Sequence, residues 1–169
     1  GLDEYQIGES SVRRQSFGYD VEHTLDGMAF LDEVVRAITD LLNQGTGVVA
    51  AVVHSGNWEL AAIASHYAGI PVFSFAANQK NPLVDNYLNL LREGPGIPTV
   101  LRDSGSLREI IRRLKQNQVL AILPDVRMRT PGLQLPFLGG TANIGPGMAS
   151  FSRQTGAPIL LCLSRRQGL

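Results

Sequence analysis

The sequence has a single cysteine, no net charge and no long apolar run, and each of these features argues against a class of protein. Cys162 stands alone, so neither an internal disulfide nor a cysteine metal site can form. Lys and Arg together number 15, as do Asp and Glu, which leaves no overall field to attract nucleic acid or anionic lipid. No apolar stretch approaches the roughly 20 residues that span a bilayer. The remaining composition, 44% hydrophobic and 18% charged, is that of an ordinary globular domain with a real core.

Several catalytic signatures are missing as well. No Gly-x-Ser-x-Gly sequence occurs, which weighs against the serine nucleophile of an α/β-hydrolase. The three histidines are widely spaced and form no metal-ligand pattern, and there is no P-loop. Basic residues are not interleaved with aromatic ones, so we expect no nucleic-acid partner. The sequence therefore predicts a protein without a metal site or another cofactor.

Helical periodicity and Val-rich runs alternate along the chain. The apolar residues between positions 31 and 42 recur at three- and four-residue spacing, which predicts an amphipathic helix. The run 47–53 shows no alternation, as expected for a strand buried on both faces. Further helices are expected near 58–67, 82–92, 107–114 and 146–154, and further strands near 71–75, 99–102, 119–123 and 158–163. We expect weak helical character up to residue 24, and a loop-like segment from 126 to 143 with an extended stretch at 133–138.

This alternation predicts the fold class. Strands that alternate with helices form parallel βαβ units, so we expect an α/β domain with a mostly parallel sheet sandwiched by helices. No internal boundary interrupts residues 1–169, which indicates a single domain. Since the chain opens on Gly1 and its last residues contain no clear stop, we expect a piece of a longer protein, truncated at both ends.

The most informative segment is His54-Ser55-Gly56-Asn57-Trp58-Glu59, which joins the Val-rich strand to the next helix. Ligands of open α/β sheets bind where a strand end feeds a helix start. If one ring nitrogen of His54 donates to the Glu59 carboxylate, the other is free to take a proton from a hydroxyl. Alternatively, His54 fills the strand end and Glu59 complements the helix dipole. Spacing alone does not choose between these two interpretations.

Four other residues are candidates for the site. Arg92 is positioned to bind phosphate, stabilise an oxyanion or pair with Glu59, or else it is a solvated residue at a helix end. Asp125 follows a buried strand at the same edge of the sheet, where it either orients a substrate group or forms a turn after proline. Asn57 is foremost an N-cap candidate. Arg127, with its neighbour Arg129, is a candidate for contact with a phosphate or an acidic carrier protein.

The segment around His54 resembles the His-x4-Glu block of the lipid A biosynthesis acyltransferases, a family that includes lauroyl- and myristoyl-type enzymes and phosphatidylinositol mannoside acyltransferases. Asn81-Pro82-Leu83-Val84-Asp85 resembles the family's Asn-Pro-Leu-x-Asp block, and Arg92 falls where the family keeps an arginine. Residues 107–125, with their Pro-Asp ending, Phe137-Leu138-Gly139 and residues 147–158 resemble further blocks in the same order. The resemblance covers about residues 11–166.

The resemblance implies a fold like that of the glycerol-3-phosphate acyltransferases. It implies O-acyl transfer from acyl carrier protein or coenzyme A to a hydroxyl of a glycolipid such as a lipid A precursor. By this resemblance His54 is the catalytic base and Glu59 orients it, and Arg92 matches an arginine that the family keeps. We expect Arg92, Asp125, Asn57 and Arg127 to bind substrate. It also places the full-length protein at the cytoplasmic face of the bacterial inner membrane.

Two positions depart from the family's pattern. Ala77 stands where many members carry an arginine, and Val126 stands where a glutamine usually follows Asp125. The acceptor is therefore not restricted to lipid A precursors. Two alternative functions also remain, a degenerate domain that binds acyl chains or a partner without catalysis, and a thioesterase-like hydrolase with water as the acceptor.

Overall fold

The computed structural model of the 169-residue chain describes residues 10–16, 19–25 and 27–164, with side chains described over 34–163. Within these residues the strands are β1 (Ser10–Ser16), β2 (Tyr19–Leu25), β3 (Val48–Val52), β4 (Val72–Ala76), β5 (Thr99–Leu101), β6 (Val119–Ile122), β7 (Leu133–Phe137), β8 (Gly140–Ile144) and β9 (Ile159–Ser164). The helices are α1 (Gly27–Leu42), α2 (Trp58–Tyr67), α3 (Pro82–Glu93), α4 (Ser106–Lys115) and α5 (Gly147–Thr155). None of the helices described is both long and apolar enough to cross a bilayer.

Seven of these strands form one sheet in the order β2-β1-β9-β3-β6-β4-β5. The five strands from β9 to β5 are parallel, whereas β1 pairs antiparallel with both β9 and β2. The α/β class and the mostly parallel sheet predicted from the sequence are therefore confirmed. The antiparallel pair β1–β2 extends the sheet beyond β9.

Two apolar layers cover the sheet, one on each face. Because successive side chains of a strand point to opposite faces, Val48 and Ala50 pack with α1, whereas Val49 packs with α4 and α5. Val34, Ile38 and Leu41 form the contacting face of α1. On the opposite face, the contacting residues are Ile110 and Leu114 of α4 and Phe151 of α5. Strands buried from both sides explain the unbroken Val-rich run of β3.

The strand order creates a crevice beside β3. The chain passes from β3 to β4, continues outward to β5, and then returns through α4 so that β6 inserts between β3 and β4. From β6 it crosses to β9 on the far side of β3. Connections on either side of β3 thus run in opposite directions, which is the arrangement where open α/β sheets bind ligands at the carboxyl ends of their strands.

Two expectations about local structure differ from the structure. The weak helical character expected up to residue 24 is wrong for 10–16 and 19–25, which are strands, while residues 1–9 and 17–18 lie outside the described part. Apolar and polar residues nearly alternate over Tyr19–Leu25, a period-two signal typical of a strand. The extended stretch at 133–138 is confirmed as β7, but β8 was not expected. Leu138 and Gly139, both at positive φ, turn the chain back into β8.

Candidate active site

The turn that carries His54 is shaped by glycine and by a helix cap. Gly56 has a φ of +60°, a conformation that costs glycine little and other residues more, and it lies between β3 and α2. Asn57 then caps α2, because its Oδ1 accepts a hydrogen bond from the backbone N–H of Leu60 at 3.0 Å. The N-cap role expected of Asn57 is confirmed. The cap fixes the angle at which α2 leaves the turn and therefore where His54 lies relative to the helix.

His54 is held by Asp125 through two hydrogen bonds. Nδ1 of the ring lies 2.7 Å from Oδ1 of Asp125, and the backbone N–H of His54 donates to Oδ2 at 2.7 Å. Each carboxylate oxygen therefore has its own partner on the same residue. Such a two-point contact fixes both the position of the carboxylate and the direction of the ring.

Sheet register explains why these two residues meet. In the parallel pairing of β3 with β6, Ala51 lies opposite Ile122. His54 lies three residues beyond Ala51 and Asp125 three residues beyond Ile122, so the two chains leave the sheet edge side by side and in step. The contact is thus a consequence of the strand order and the register together.

The environment of the pair suits proton transfer. An ionised Asp125 accepts a hydrogen bond from the Nδ1–H group of His54, which leaves the lone pair of Nε2 free to act as a base. Partial burial on its own would raise the pKa of Asp125, but hydrogen bonds from the backbone N–H and the ring of His54 outweigh it and hold that pKa below its usual value. Trp58 packs edge-on against the imidazole with ring centroids 5.0 Å apart. The side chains remain 41% (His54) and 34% (Asp125) exposed, so the pair is open to a substrate.

Glu59 has a different partner from the one expected. Both of its carboxylate oxygens accept hydrogen bonds from Arg92, from Nε at 3.1 Å and from Nη2. These side chains are only 22% and 16% exposed respectively. The expected hydrogen bond between His54 and Glu59 is therefore not formed, while the pairing of Glu59 with Arg92, one of three roles considered for Arg92, is confirmed. Glu59 is the second residue of α2 and Arg92 the last but one of α3, so the ion pair ties these two helices together.

The remaining candidates have distinct places. Asn81 caps α3, since its Oδ1 accepts from the backbone N–H of Leu83 at 3.0 Å, and Asp85 Oδ1 accepts from Gln79 N at 2.7 Å. Arg127 is exposed and lines an open groove. Sequence reasoning did not identify Asp125 as the partner of His54. Two facts together identify Asp125 as the partner: β3 and β6 are adjacent, and His54 and Asp125 each lie three residues beyond a pair of facing strand residues.

Cys162 is excluded as a nucleophile by its environment. Burial raises the pKa of its thiol to about 12, so the reactive thiolate is almost absent near neutral pH. We expect iodoacetamide to alkylate Cys162 slowly in the native protein at pH 7.5 and at an ordinary rate in denaturant. Peptide mapping by mass spectrometry gives both rates. Equal rates in the two conditions would show that the thiol is accessible and weaken this exclusion.

Comparison with known proteins identifies the family of the chain. The sequence model of the family described as bacterial lipid A biosynthesis acyltransferase matches residues 33–169. Two phosphatidylinositol mannoside acyltransferases from Mycobacterium tuberculosis are 29% identical over 142 residues (strain CDC 1551) and 26% identical over 159 residues (strain H37Rv). The matches cover 77% and 89% of this chain but 43% and 46% of the relatives.

A phosphatidylinositol mannoside acyltransferase from Mycolicibacterium smegmatis is 25% identical over 123 residues, which are 70% of this chain and 40% of the relative. The chain thus spans less than half the length of the curated relatives it matches. The family match extends from α1 through both strands of the His54–Asp125 site to the end of the chain. The chain therefore belongs to the bacterial lipid A biosynthesis acyltransferase family.

Proposed function

We propose that this chain forms the catalytic centre of an O-acyltransferase that moves a fatty acyl group from an acyl thioester to a hydroxyl of a glycolipid. The donor is acyl carrier protein or acyl-coenzyme A. Family membership and the names of the relatives support the reaction class. The observation that carries the proposal is the His54–Asp125 pair, whose geometry leaves Nε2 of an exposed imidazole as a base at the carboxyl edge of the sheet.

In this mechanism Nε2 of His54 removes the proton of the acceptor hydroxyl while its oxygen attacks the thioester carbonyl. The new C–O bond gives a tetrahedral intermediate, which collapses with cleavage of the C–S bond, and the leaving thiolate takes the proton back from the imidazolium. Asp125 stabilises the positive charge that develops on the ring, as a carboxylate does beside a catalytic histidine. The step requires no covalent acyl-enzyme.

We propose that backbone N–H groups at the start of α2 donate hydrogen bonds to the oxyanion of the intermediate. Only the N–H of Leu60 is used by the Asn57 cap, and preorganised donors at a helix start favour developing negative charge. In this proposal Glu59 acts through Arg92 rather than on the imidazole directly. Their ion pair holds the first turn of α2 against α3 and so fixes the donors beside His54.

A lipid acceptor fits the surface of α3. None of the residues of this helix is buried, and its apolar side chains Leu83, Tyr87 and Leu90 recur at helical spacing on one exposed face. Exposed apolar faces of this kind mark contact with lipids or other apolar partners. We propose that in the complete protein this face lies toward the inner-membrane surface that supplies the glycolipid.

The reaction is tested with the complete gene product and a radiolabelled acyl thioester, with and without glycolipid. Labelled glycolipid ester that forms only when both substrates are present supports the proposal. Release of free fatty acid without ester would identify a thioesterase-like hydrolase. Acyl binding without turnover would identify a non-catalytic acyl-binding domain.

The Glu59–Arg92 pair yields a stability prediction. Glu59→Gln leaves the mostly buried guanidinium of Arg92 without its counter-charge, so we expect the free energy of unfolding to fall by about 1–3 kcal/mol. The double variant Glu59→Gln/Arg92→Gln should lose less than the sum of the two single losses. Denaturant melts of the complete gene product measure all three.

The control is Arg112→Gln, which removes the exposed ion pair of Arg112 with Glu109 on α4 and leaves Glu109 paired with Arg113. It should cost less, because solvent screens the exposed pair. Strictly additive losses for the double variant, or a loss in Glu59→Gln no larger than in Arg112→Gln, would contradict a stabilising link between α2 and α3.

A further inference from the structure

We propose that Arg127 and Arg129 form a binding site for a phosphate group carried by one of the two substrates. The inference rests on the proposed acyl transfer and names a chemical group that the substrate must carry. Both arginines line an open groove together with Met128 and Asn143. The groove belongs to the loop that leaves Asp125, and two residues of extended chain place the Cα of Arg127 within about 7 Å of the Cα of Asp125.

The charge of this groove is uncompensated. Arg127 and Arg129 are exposed, and neither has a carboxylate partner among the described residues. The acidic residue nearest to them along the chain is Asp125, and both of its carboxylate oxygens are directed at His54. Two cations at one groove, with no counter-ion supplied by the described chain, favour an anionic ligand.

The loop that carries these arginines is held in place by Asn143. Its Nδ2 donates to the backbone oxygens of Met128 and Thr130 at 3.0 and 2.9 Å. Its Oδ1 accepts from the backbone N–H of Gly132 at 2.9 Å and from Gln134 Nε2 at 2.8 Å. All the hydrogen-bonding capacity of this amide is therefore used within the loop and hairpin. Among the side chains that line the groove, the polar groups left to a ligand are the two guanidinium ions, and Asn143 orders the backbone that carries them.

Phosphate is the anion that suits such a pair. A guanidinium presents a planar fork of donors that matches two phosphate oxygens, and a tetrahedral phosphate has enough oxygens for two forks. The phosphate has two possible sources in the proposed reaction, the phosphopantetheine arm of the thioester donor and a phosphodiester of the glycolipid acceptor. In both cases the groove would hold the substrate by a group that does not react, and so help to position the reacting atoms at His54.

Steady-state kinetics of Arg127→Gln/Arg129→Gln in the complete gene product test the inference. If the donor supplies the phosphate, KM for acyl-coenzyme A rises about tenfold or more with little change in kcat, whereas KM for the phosphate-free acyl-N-acetylcysteamine thioester is unchanged. If the acceptor supplies it, the same rise appears for the phosphorylated glycolipid and not for its dephosphorylated form. The matched control Arg108→Gln removes an exposed, unpaired arginine of α4 and should leave every KM unchanged. Equal changes with and without phosphate on the substrate, or no change at all, would overturn the site.

A second measurement does not depend on turnover. Inorganic phosphate should protect Arg127 and Arg129 from modification by phenylglyoxal, as mapped by mass spectrometry, while Arg108 stays reactive. Protection in a protein that transfers no acyl group would sustain the anion site and refute the proposed function. Acyl transfer without protection would sustain the function and refute the site.

Discussion

Replacing His54 with alanine should lower kcat for glycolipid acylation by about 10²–10⁴-fold, because this is the range that a positioned general base contributes. The protein should remain folded. His54 lies beyond the end of β3, its side chain is 41% exposed, and it belongs to neither of the two apolar layers of the sheet. Ester formation from labelled acyl thioester measures the first expectation, and a thermal melt monitored by circular dichroism measures the second.

The matched control for this experiment is His66→Ala. His66 belongs to the last turn of α2, contacts Tyr67 edge-on and lies outside the His54–Asp125 site. His66→Ala should leave kcat within about twofold of the wild-type value, because substitutions away from a functional site have small effects. Normal turnover by His54→Ala, or an equal loss in His66→Ala, would show that His54 is not the base.

The sequence predicted the parallel sheet well because its strands and helices have strong and different periodicities. β3 and β6 are short apolar runs between helices with capping and breaking signals, and α2 has the predicted bounds of 58–67. The hairpin strand β8 was missed because Gly140–Ile144 contains few residues of high β-propensity. The pairing of β8 with β7 depends on the turn at Leu138 and Gly139. Both residues have positive φ values, which residue composition does not reveal.

The candidate residues were identified more reliably than their contacts. Spacing placed His54 and Glu59 near the start of one helix, and a local hydrogen bond between them was the simplest geometry. The actual partner of His54 is 71 residues away, and its identity depends on which strand lies next to β3. Strand order is a property of the whole chain. In the sequence β4 and β5 lie between β3 and β6, yet in the sheet β6 lies directly beside β3. A pattern read within one segment does not contain that information.

The second large effect is expected from Asp125→Asn, with a loss in kcat of about 10²–10⁴-fold, comparable to the removal of the base itself. The amide has one acceptor oxygen in place of two. If that oxygen keeps the backbone N–H of His54, the amide nitrogen faces Nδ1 as a donor and forces the proton onto Nε2, where it blocks the base. Asp103→Asn is the matched control, because this carboxylate also accepts a backbone N–H but does not contact a histidine, so kcat should be unchanged.

The lowered pKa of Asp125 predicts how the stability of the protein depends on pH. The folded protein holds the pKa of Asp125 below its usual value, so the folded state binds this proton less tightly than the unfolded state does. The wild type should therefore be more stable than Asp125→Asn above the ordinary pKa of an aspartate. That advantage should diminish as the pH falls through the lowered pKa of the folded state. Urea melts of both proteins between pH 7 and pH 3 measure the difference. A difference that stays constant across this range would mean that the charge of Asp125 does not stabilise its contact with His54, and the role of this carboxylate in supporting the imidazolium would lose its physical basis.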